Sequence, residues 1–139
     1  MKSNYIFVYG VLKSMYDNEP ARFIRKNCDL IGDGFFSGML LDLGSYPGAI
    51  FDTDSESKVH GEVYEIKRNK DELISFLDEF EGVSPRFDKP YEYKREFIPV
   101  HTSIGELYAS CYLYNWDPNG IAVIKDGIYK NEKAKREQT

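Results

Sequence analysis

The chain has 139 residues, of which 42% are hydrophobic and 15% aromatic, and its formal net charge is −5 at pH 7. This length and composition predict one domain with a packed core and argue against an intrinsically disordered protein. The acidic balance and the lack of a basic stripe argue against nucleic acid as a partner. No stretch is apolar enough to cross a bilayer, and the amino terminus lacks the pattern of a signal peptide. We therefore expect a cytoplasmic protein that has no membrane partner.

Cysteine and histidine are too sparse for the common metal and catalytic sites. Cys28 and Cys111 are far apart in the sequence, which predicts two free thiols in a reducing cytoplasm. His60 and His101 form neither a zinc-ligand spacing nor a convincing catalytic triad. The sequence therefore predicts no metal site.

The first predicted strand, Asn4–Tyr9, is apolar on both faces, which is typical of a strand that is covered on both sides. It ends at Gly10, where the backbone can turn sharply and approach a neighbouring group. We expect Val11, Leu12 and Lys13 to present free N–H groups at this strand end. Such donors can hold a carboxylate or a developing oxyanion, although many strands end in glycine.

The following segments predict a small, strongly curved sheet. A short helix begins at Asn18–Pro20, since proline is tolerated in a first helical turn. The strand-like stretch Cys28–Leu41 contains three glycines, which indicate bends or bulges in a tightly curved sheet or small barrel. The turn Gly44–Gly48 leads into a short strand, Ala49–Phe51, and a further strand, Val59–Ile66, leads towards the next helix.

A second helix is predicted over Asn69–Phe80. Asn69 can cap its amino terminus with Glu72 as the partner in a capping box, and Gly82 is expected just past its carboxyl end. At about 100° per residue, Glu81 falls on the apolar stripe of this helix. The other acidic residues of the helix fall outside that stripe and are expected to face outward: Asp71, Glu72, Asp78 and Glu79.

An inward Glu81 has to be paired, neutral or used in function. Burial and the negative end of the helix dipole both raise its pKa, which suits a carboxylate that takes and returns a proton near neutral pH. Two structural alternatives stay open. Glu81 can swing outward past a frayed helix end, or it can form an ion pair, and the helix alone favours these alternatives.

The strand Tyr91–Val100 alternates cleanly between apolar and polar residues. Tyr91, Tyr93, Arg95 and Phe97 share its apolar face. Arg95 is therefore expected on a buried face beside Tyr93, where it needs an acidic partner. A structural ion pair and a role in ligand binding are equally compatible with that position.

The last part of the chain contains one more strand and a charged tail. The strand Glu106–Trp116 has a row of tyrosines on one face, which is more typical of sheet packing than of a ligand platform. Residues 130–139 are charged throughout. We therefore expect one domain over residues 1–129, followed by a flexible tail.

Five short motifs occur in one order along the chain: Val8–Lys13, Tyr46–Gly48, Gly61–Tyr64, Leu77–Gly82 and Tyr93–Arg95. Each motif is weak alone. In this order they resemble the gamma-glutamylcyclotransferase-like family, including its gamma-glutamylamine cyclotransferase branch, over residues 4–116. The resemblance implies an α+β fold, namely a small, mostly antiparallel β-barrel with a few flanking helices.

The resemblance also implies a substrate site. The family's strand-end loop grips the substrate and corresponds here to Tyr9, Gly10, Val11 and Leu12, and the family's catalytic glutamate corresponds to Glu81. Val11 stands where the family usually has serine or threonine, so the backbone donors are kept and a hydroxyl contact is lost. Three further residues complete the expected substrate-binding set: Tyr46, Tyr93 and Arg95.

The implied reaction cyclises a small gamma-glutamyl amine or gamma-glutamyl amino acid to 5-oxoproline and releases a free amine. Because the nucleophile belongs to the substrate, positioning supplies much of the acceleration, and one glutamate can move the protons. Neither a metal nor an organic cofactor is needed, and a monomer or weak homodimer is expected. The alternative is a non-catalytic small-molecule binding domain that keeps the barrel and its pocket, as the valine at position 11 would allow.

Overall fold

The computed structural model describes residues 4–130, and residues 131–139 of the predicted tail lie outside this range. Neither helix in the described range is long and apolar enough to span a membrane. In chain order the elements are β1 (Tyr5–Val8), α1 (Glu19–Asn27), β2 (Cys28–Asp42), β3 (Pro47–Phe51), β4 (Lys58–Ile66), α2 (Lys70–Phe80), β5 (Tyr93–Thr102) and β6 (Gly105–Tyr114).

Five of the strands close into a barrel. In the order β2, β4, β1, β6 and β5, each strand pairs with the next, and β5 pairs back onto β2. All of these pairs are antiparallel except the pair of β1 with β6. β3 lies outside the ring and pairs antiparallel with β2. The predicted fold, a small and mostly antiparallel barrel with flanking helices, is therefore confirmed.

Glycine allows β2 to bend as it pairs with three other strands. Its register with β4 shifts between Leu30 and Gly32, which is the kind of irregularity that the glycines predicted. A Cβ atom on Gly34 would lie 2.9 Å from Cγ1 of Val100 and 3.0 Å from the carbonyl oxygen of His101. The barrel can therefore close at this point only because residue 34 has no side chain.

Two hydrophobic clusters lie on opposite faces of the barrel strands. The interior of the barrel is filled by residues that include Phe7, Tyr9, Ile98, Val100, Ala109, Cys111 and Leu113. The outer face packs against the helices through residues that include Ile6, Val8, Ile24, Leu73, Leu77 and Tyr93. Since α2 is buried through two leucines of this outer cluster, its carboxyl end is fixed close to β1 and to the start of β5.

The amino terminus of α2 differs from the prediction. Asn69 has a φ of 55° and makes no capping hydrogen bond with its side chain. Its Nδ2 instead donates to Oδ1 of Asn27 at 2.9 Å. The predicted capping box with Glu72 is therefore wrong, because a tertiary contact with α1 uses the side chain that would have formed it. The carboxyl end is as predicted, with Gly82 in the left-handed region at a φ of 74°.

The alternation predicted for β5 does not give it one buried face, because each of its two faces contains buried residues. Ile98 and Val100 fill the barrel interior, whereas Tyr93 belongs to the outer cluster. Arg95 and Phe97 follow Tyr93 at intervals of two and therefore share its outer face. Phe97 is 47% exposed and lines a groove together with residues of α2.

Candidate active site

A cleft of about 610 Å³ lies beside the carboxyl end of β1. Its walls are formed by the end of β1 and the loop after it, the turn before β3, the end of α2 and the segment that leads into β5. Tyr112 of β6 and Trp116 also line it. Seven of the eight predicted site residues line it: Tyr9, Gly10, Val11, Leu12, Tyr46, Glu81 and Tyr93. The loop after the first strand and the glutamate after the helix thus face one cavity, as expected, and the roles of these residues stay predictions.

The loop after β1 is held by direct contact with two other segments. A Cβ atom on Gly10 would lie 3.0 Å from Cγ of Pro47, so the loop and the turn before β3 touch where residue 10 lacks a side chain. The side chain of Glu62 on β4 accepts hydrogen bonds from the backbone N–H and the hydroxyl of Ser14, at 2.6 and 2.9 Å. The short motifs around positions 10, 47 and 62 therefore belong to one local structure.

The loop that lines the cleft has two backbone N–H groups without a partner among the described residues. The N–H of Lys13 donates to the carbonyl oxygen of Gly10 at 3.2 Å, so the prediction that it is free is wrong. The N–H groups of Val11 and Leu12 donate to no other residue in the described part of the chain. The carbonyl oxygen of Val11 accepts a hydrogen bond from Nδ2 of Asn18 at 2.8 Å, which fixes the loop. The two free donors can hold an anionic group of a ligand.

Two tyrosines form a wall of the cleft, and both are fixed by hydrogen bonds. The hydroxyl of Tyr93 donates to the carbonyl oxygen of Pro47 at 2.6 Å. The hydroxyl of Tyr46 donates to Oε2 of Glu92 at 2.9 Å. The two tyrosine rings lie 6.4 Å apart between centroids. Each ring is therefore held by a hydrogen bond, and the wall carries a carboxylate at its edge.

Glu81 follows the last residue of α2, and the backbone fixes its position. Its N–H donates to the carbonyl oxygen of Leu77 at 2.8 Å, and the chain then turns away at Gly82. The side chain is partly buried and lines the cleft. It also lies at the carboxyl end of the helix, where the helix dipole disfavours a negative charge.

The carboxyl group of Glu81 has no ionic or hydrogen-bonding partner among the described residues. Its pKa is raised from 4.5 to about 7, chiefly because burial disfavours the charged form, and further because Glu92 and Asp78 are negatively charged. The structure thus shows neither the outward side chain nor the ion pair that the sequence left open. A carboxyl group in this state can take up and release a proton near neutral pH.

Arg95 is the one predicted site residue that the structure does not bring into the cleft. Its Nε and Nη2 bind the two carboxylate oxygens of Asp78 at 2.9 and 3.1 Å, and the hydroxyl of Tyr112 donates to the same carboxylate at 2.6 Å. This ion pair lies in a second groove, on the other side of α2. The prediction that Asp78 faces outward is wrong, because its side chain is only 19% exposed.

Sequence reasoning missed several residues of the cleft: Phe80, Phe87, Asp88, Tyr91, Glu92, Tyr112 and Trp116. Most of them lie in the segment before β5, which has no periodic pattern to indicate a direction. A strand over Tyr91–Val100, as predicted, would put Glu92 on the face opposite Tyr91 and Tyr93, yet β5 begins only at Tyr93. Strand alternation therefore does not indicate the direction of the Glu92 side chain. The prolines of the preceding loop were the available signal that the strand begins later than predicted.

The described residues contain no group of three His, Cys, Asp or Glu side chains that could hold a metal ion. Cys28 and Cys111 are free and buried, which confirms the predicted thiols. Burial raises the pKa of Cys28 to about 12 and raises that of Cys111 as well. Neither thiol is therefore a reactive thiolate near neutral pH.

Comparison with known structures identifies the same fold in several proteins. An aig2-like protein from Mus musculus has a TM-score of 0.71 at 22% identity, with 94% of this chain and 90% of that chain covered. The protein ytfP from Escherichia coli has a TM-score of 0.59 at 29% identity, with 93% and 98% covered. YkqA from Bacillus subtilis has a TM-score of 0.66 at 23% identity, and the alignment covers 99% of this chain but only 44% of YkqA.

A family model matches most of the chain. No curated protein matches the chain. The model described as gamma-glutamyl cyclotransferase, AIG2-like, matches residues 6–131. This match includes the loop after β1, the turn before β3 and Glu81. Because it spans most of the sequence, the chain belongs to the gamma-glutamyl cyclotransferase, AIG2-like family.

Proposed function

We propose that the protein is a cyclotransferase that converts a gamma-glutamyl amine or gamma-glutamyl amino acid into 5-oxoproline and a free amine. The observation that carries this proposal is the unpaired carboxyl group of Glu81, with a pKa of about 7, in a cleft that also presents backbone donors. Membership of the family supports the class of reaction. Glu81 is the general acid and base of this proposal.

The proposed reaction needs only the substrate and one proton carrier. The α-amino nitrogen attacks the γ-carbonyl carbon of the same molecule, forms a C–N bond and closes a five-membered ring. The bond between that carbon and the nitrogen of the leaving amine then breaks. The α-ammonium group loses two protons and the released amine gains two, so atoms and charge balance without water. Glu81 takes these protons and returns them in turn.

Other features of the cleft support the positioning that such a reaction requires. Ring closure is intramolecular, so holding the amine against the carbonyl supplies much of the acceleration. The N–H groups of Val11 and Leu12 bind either the substrate carboxylate or the oxyanion of the tetrahedral intermediate. The rings of Tyr46 and Tyr93 enclose the aliphatic part of the glutamyl group. Arg95 is bound to Asp78 outside the cleft and has no proposed role in substrate binding.

The proposal is tested by measuring 5-oxoproline released from a panel of gamma-glutamyl amines and gamma-glutamyl amino acids. We expect release from at least one member of the panel, with saturation kinetics and no added metal or cofactor. The alternative function, a non-catalytic binding domain, is suggested by valine at position 11. Saturable binding of the same compounds by calorimetry, without any 5-oxoproline, would support that alternative and contradict the cyclotransferase.

A further inference from the structure

The loop after β1 contains a tight turn with one peptide group at its tip. The N–H of Lys13 donates to the carbonyl oxygen of Gly10 at 3.2 Å, which makes Val11 and Leu12 the central residues of a β-turn. The peptide group between these two residues contributes the carbonyl oxygen of Val11 and the N–H of Leu12. Neither group takes part in the hydrogen bond that closes the turn. A contact from outside the turn can therefore fix their orientation.

The side chain of Asn18 makes this outside contact. Its Nδ2 donates to the carbonyl oxygen of Val11 at 2.8 Å, and its Oδ1 accepts the N–H of Ala21 at 2.8 Å as the amino-terminal cap of α1. The two partners fix which end of the amide is which, because a backbone N–H only donates and a carbonyl oxygen only accepts. One partly buried side chain thus links the tip of the loop to the first turn of α1.

The planarity of the peptide group transmits this contact to the ligand side of the loop. The peptide bond between Val11 and Leu12 is trans, so the N–H of Leu12 points in the direction opposite to the carbonyl oxygen of Val11. Since that oxygen is held by Asn18, the N–H of Leu12 points away from Asn18. A hydrogen bond accepted by the carbonyl oxygen also polarises the peptide group, which makes its N–H a stronger donor. Val11 and Leu12 both line the cleft.

The residue type at position 12 disfavours the reversed orientation of this peptide group. Reversal would convert the turn to one that needs a positive φ at Leu12, where the Cβ atom of leucine is disfavoured. Among the described residues other than glycine, only Asn69 has a positive φ. The hydrogen bond from Asn18 therefore acts on a peptide group that already has the required orientation, and it limits the rotation that remains.

We propose that Asn18 is a positioning residue of the candidate active site, which directs the N–H of Leu12 at the anionic group of the ligand. The inference rests on the proposed cyclotransferase function and adds to it the residue that orients one of its backbone donors. Asn18 does not line the cleft, so it acts on the ligand only through the loop. The N–H of Val11 belongs to the preceding peptide group and is not oriented by this contact.

Two substitutions at position 18 separate this role from the capping of α1. Asn18→Ser and Asn18→Asp both keep a good amino-terminal cap. Both remove the donor to the carbonyl oxygen of Val11, because serine is too short to replace the amide and a carboxylate has no hydrogen to donate. With the best substrate of the gamma-glutamyl panel, we expect kcat/KM to fall at least about tenfold in both variants. The unfolding temperature should stay close to that of wild type.

Asn69→Asp is the matched control for the loss of an amide donor that contacts α1. The Nδ2 of Asn69 donates to Oδ1 of Asn27 at 2.9 Å, and Asn69 does not line the cleft. The control makes the same change from amide to carboxylate and removes a contact between α2 and α1. It should keep the wild-type kcat/KM, because the loop after β1 is not affected.

The backbone amide resonance of Leu12 reports the proposed contact directly. The probes are L-glutamine, which is the simplest gamma-glutamyl amide, and 5-oxoproline, and both are titrated while proton–nitrogen correlation spectra are recorded. We expect a ligand-induced shift at Leu12 that is strongly reduced in Asn18→Ser, whereas the shift at Val11 is kept. No shift at Leu12 with either probe, or an equal shift in the variant, would overturn the proposal.

The outcomes separate the role of Asn18 from the function itself. The role would be overturned, with the cyclotransferase intact, if both variants kept their kcat/KM or if only Asn18→Asp lost it, since the added charge would then be the cause. A loss that accompanies a lower unfolding temperature would also overturn it. No release of 5-oxoproline by wild type would contradict the cyclotransferase, and the shifts at Leu12 and Val11 would then decide the role of Asn18.

Discussion

The carboxylates on the two sides of the carboxyl end of α2 are in opposite environments: they are paired on one side and unpaired on the other. In the second groove, which is the outer groove of the molecule relative to the cleft, Asp78 is bound by Arg95 and Tyr112, and Glu79 is bound by Arg86 and Ser84. In the cleft, Glu81 has no partner among the described residues and its pKa is raised to about 7.

Glu79 shows this contrast because it lies only two residues before Glu81. Its two hydrogen bonds lower its pKa below 4.5, whereas the pKa of Glu81 is raised. A carboxylate that serves only structure is paired, because an unpaired one destabilises the fold. The absence of a partner at Glu81 is therefore the feature that needs a functional explanation.

The largest expected effect comes from removing the proton-carrying group on the cleft side. Glu81→Gln keeps the size of the side chain but cannot take a proton from the substrate, so turnover should fall by roughly 10²-fold or more. Rates of 5-oxoproline release measure this loss. Glu79→Gln is the matched control in the outer groove and should keep most of the activity. Equal losses in both variants would show that the two sides of the helix do not differ in function.

Removing Arg95 from the paired side of the helix should lower the stability of the fold. Arg95→Met leaves Asp78, which is only 19% exposed, with the tyrosine hydroxyl as its remaining partner. The free energy of unfolding should fall by about 1–3 kcal/mol, a value reduced from that of a fully buried pair because Arg95 is 33% exposed.

Denaturant unfolding measures this change. Arg86→Met removes an exposed partner of Glu79 and should cost about 0–1 kcal/mol at most. If the Arg95 variant were no less stable than the Arg86 variant, Asp78 would not depend on its ion pair.

The raised pKa of Glu81 predicts how stability changes with pH. Between the unfolded pKa of 4.5 and the folded pKa of about 7, the folded protein binds more protons than the unfolded chain. Stability from this group is therefore fully present below pH 4.5 and is lost as the pH rises through 7. Glu81→Gln should match wild type at low pH and be more stable above pH 7, by on the order of 1–3 kcal/mol. A difference that does not depend on pH would contradict the raised pKa.

The smallest expected effect comes from Val11. Its N–H group is the proposed contact, so Val11→Ser keeps that donor and adds a hydroxyl group. We expect a change in KM of no more than about tenfold and little change in kcat, as is typical of one added neutral hydrogen bond. If the serine created activity from none, the wild-type chain would be a binding domain.

Local patterns in the sequence predicted a curved sheet and an inward Glu81, whereas the barrel and most of the cleft residues were implied by the resemblance to the family. These local patterns are the glycines at bends, the apolar alternation of the strands and the helical periodicity around Glu81. Each can be seen in the sequence because it involves residues that are close in the chain.

Arg95 lies on the face of β5 that packs against α2, but its ion pair with Asp78 places it in the second groove. Alternation along a strand does not indicate on which side of a neighbouring helix a residue lies. Glu92 was missed because it precedes β5, where alternation gives no direction, and because its hydrogen bond is to Tyr46, 46 positions away in the sequence.

The central claim is that Glu81 is an unpaired carboxyl group that exchanges protons at neutral pH. NMR titration of the side-chain carboxyl carbons tests this claim most directly. Glu81→Gln identifies the resonance of Glu81, and Glu79 provides the internal comparison. We expect Glu81 to titrate near pH 7 and Glu79 below its ordinary value of 4.5. A midpoint for Glu81 at or below 4.5 would show that the residue is paired or solvated, and would contradict this account of the site.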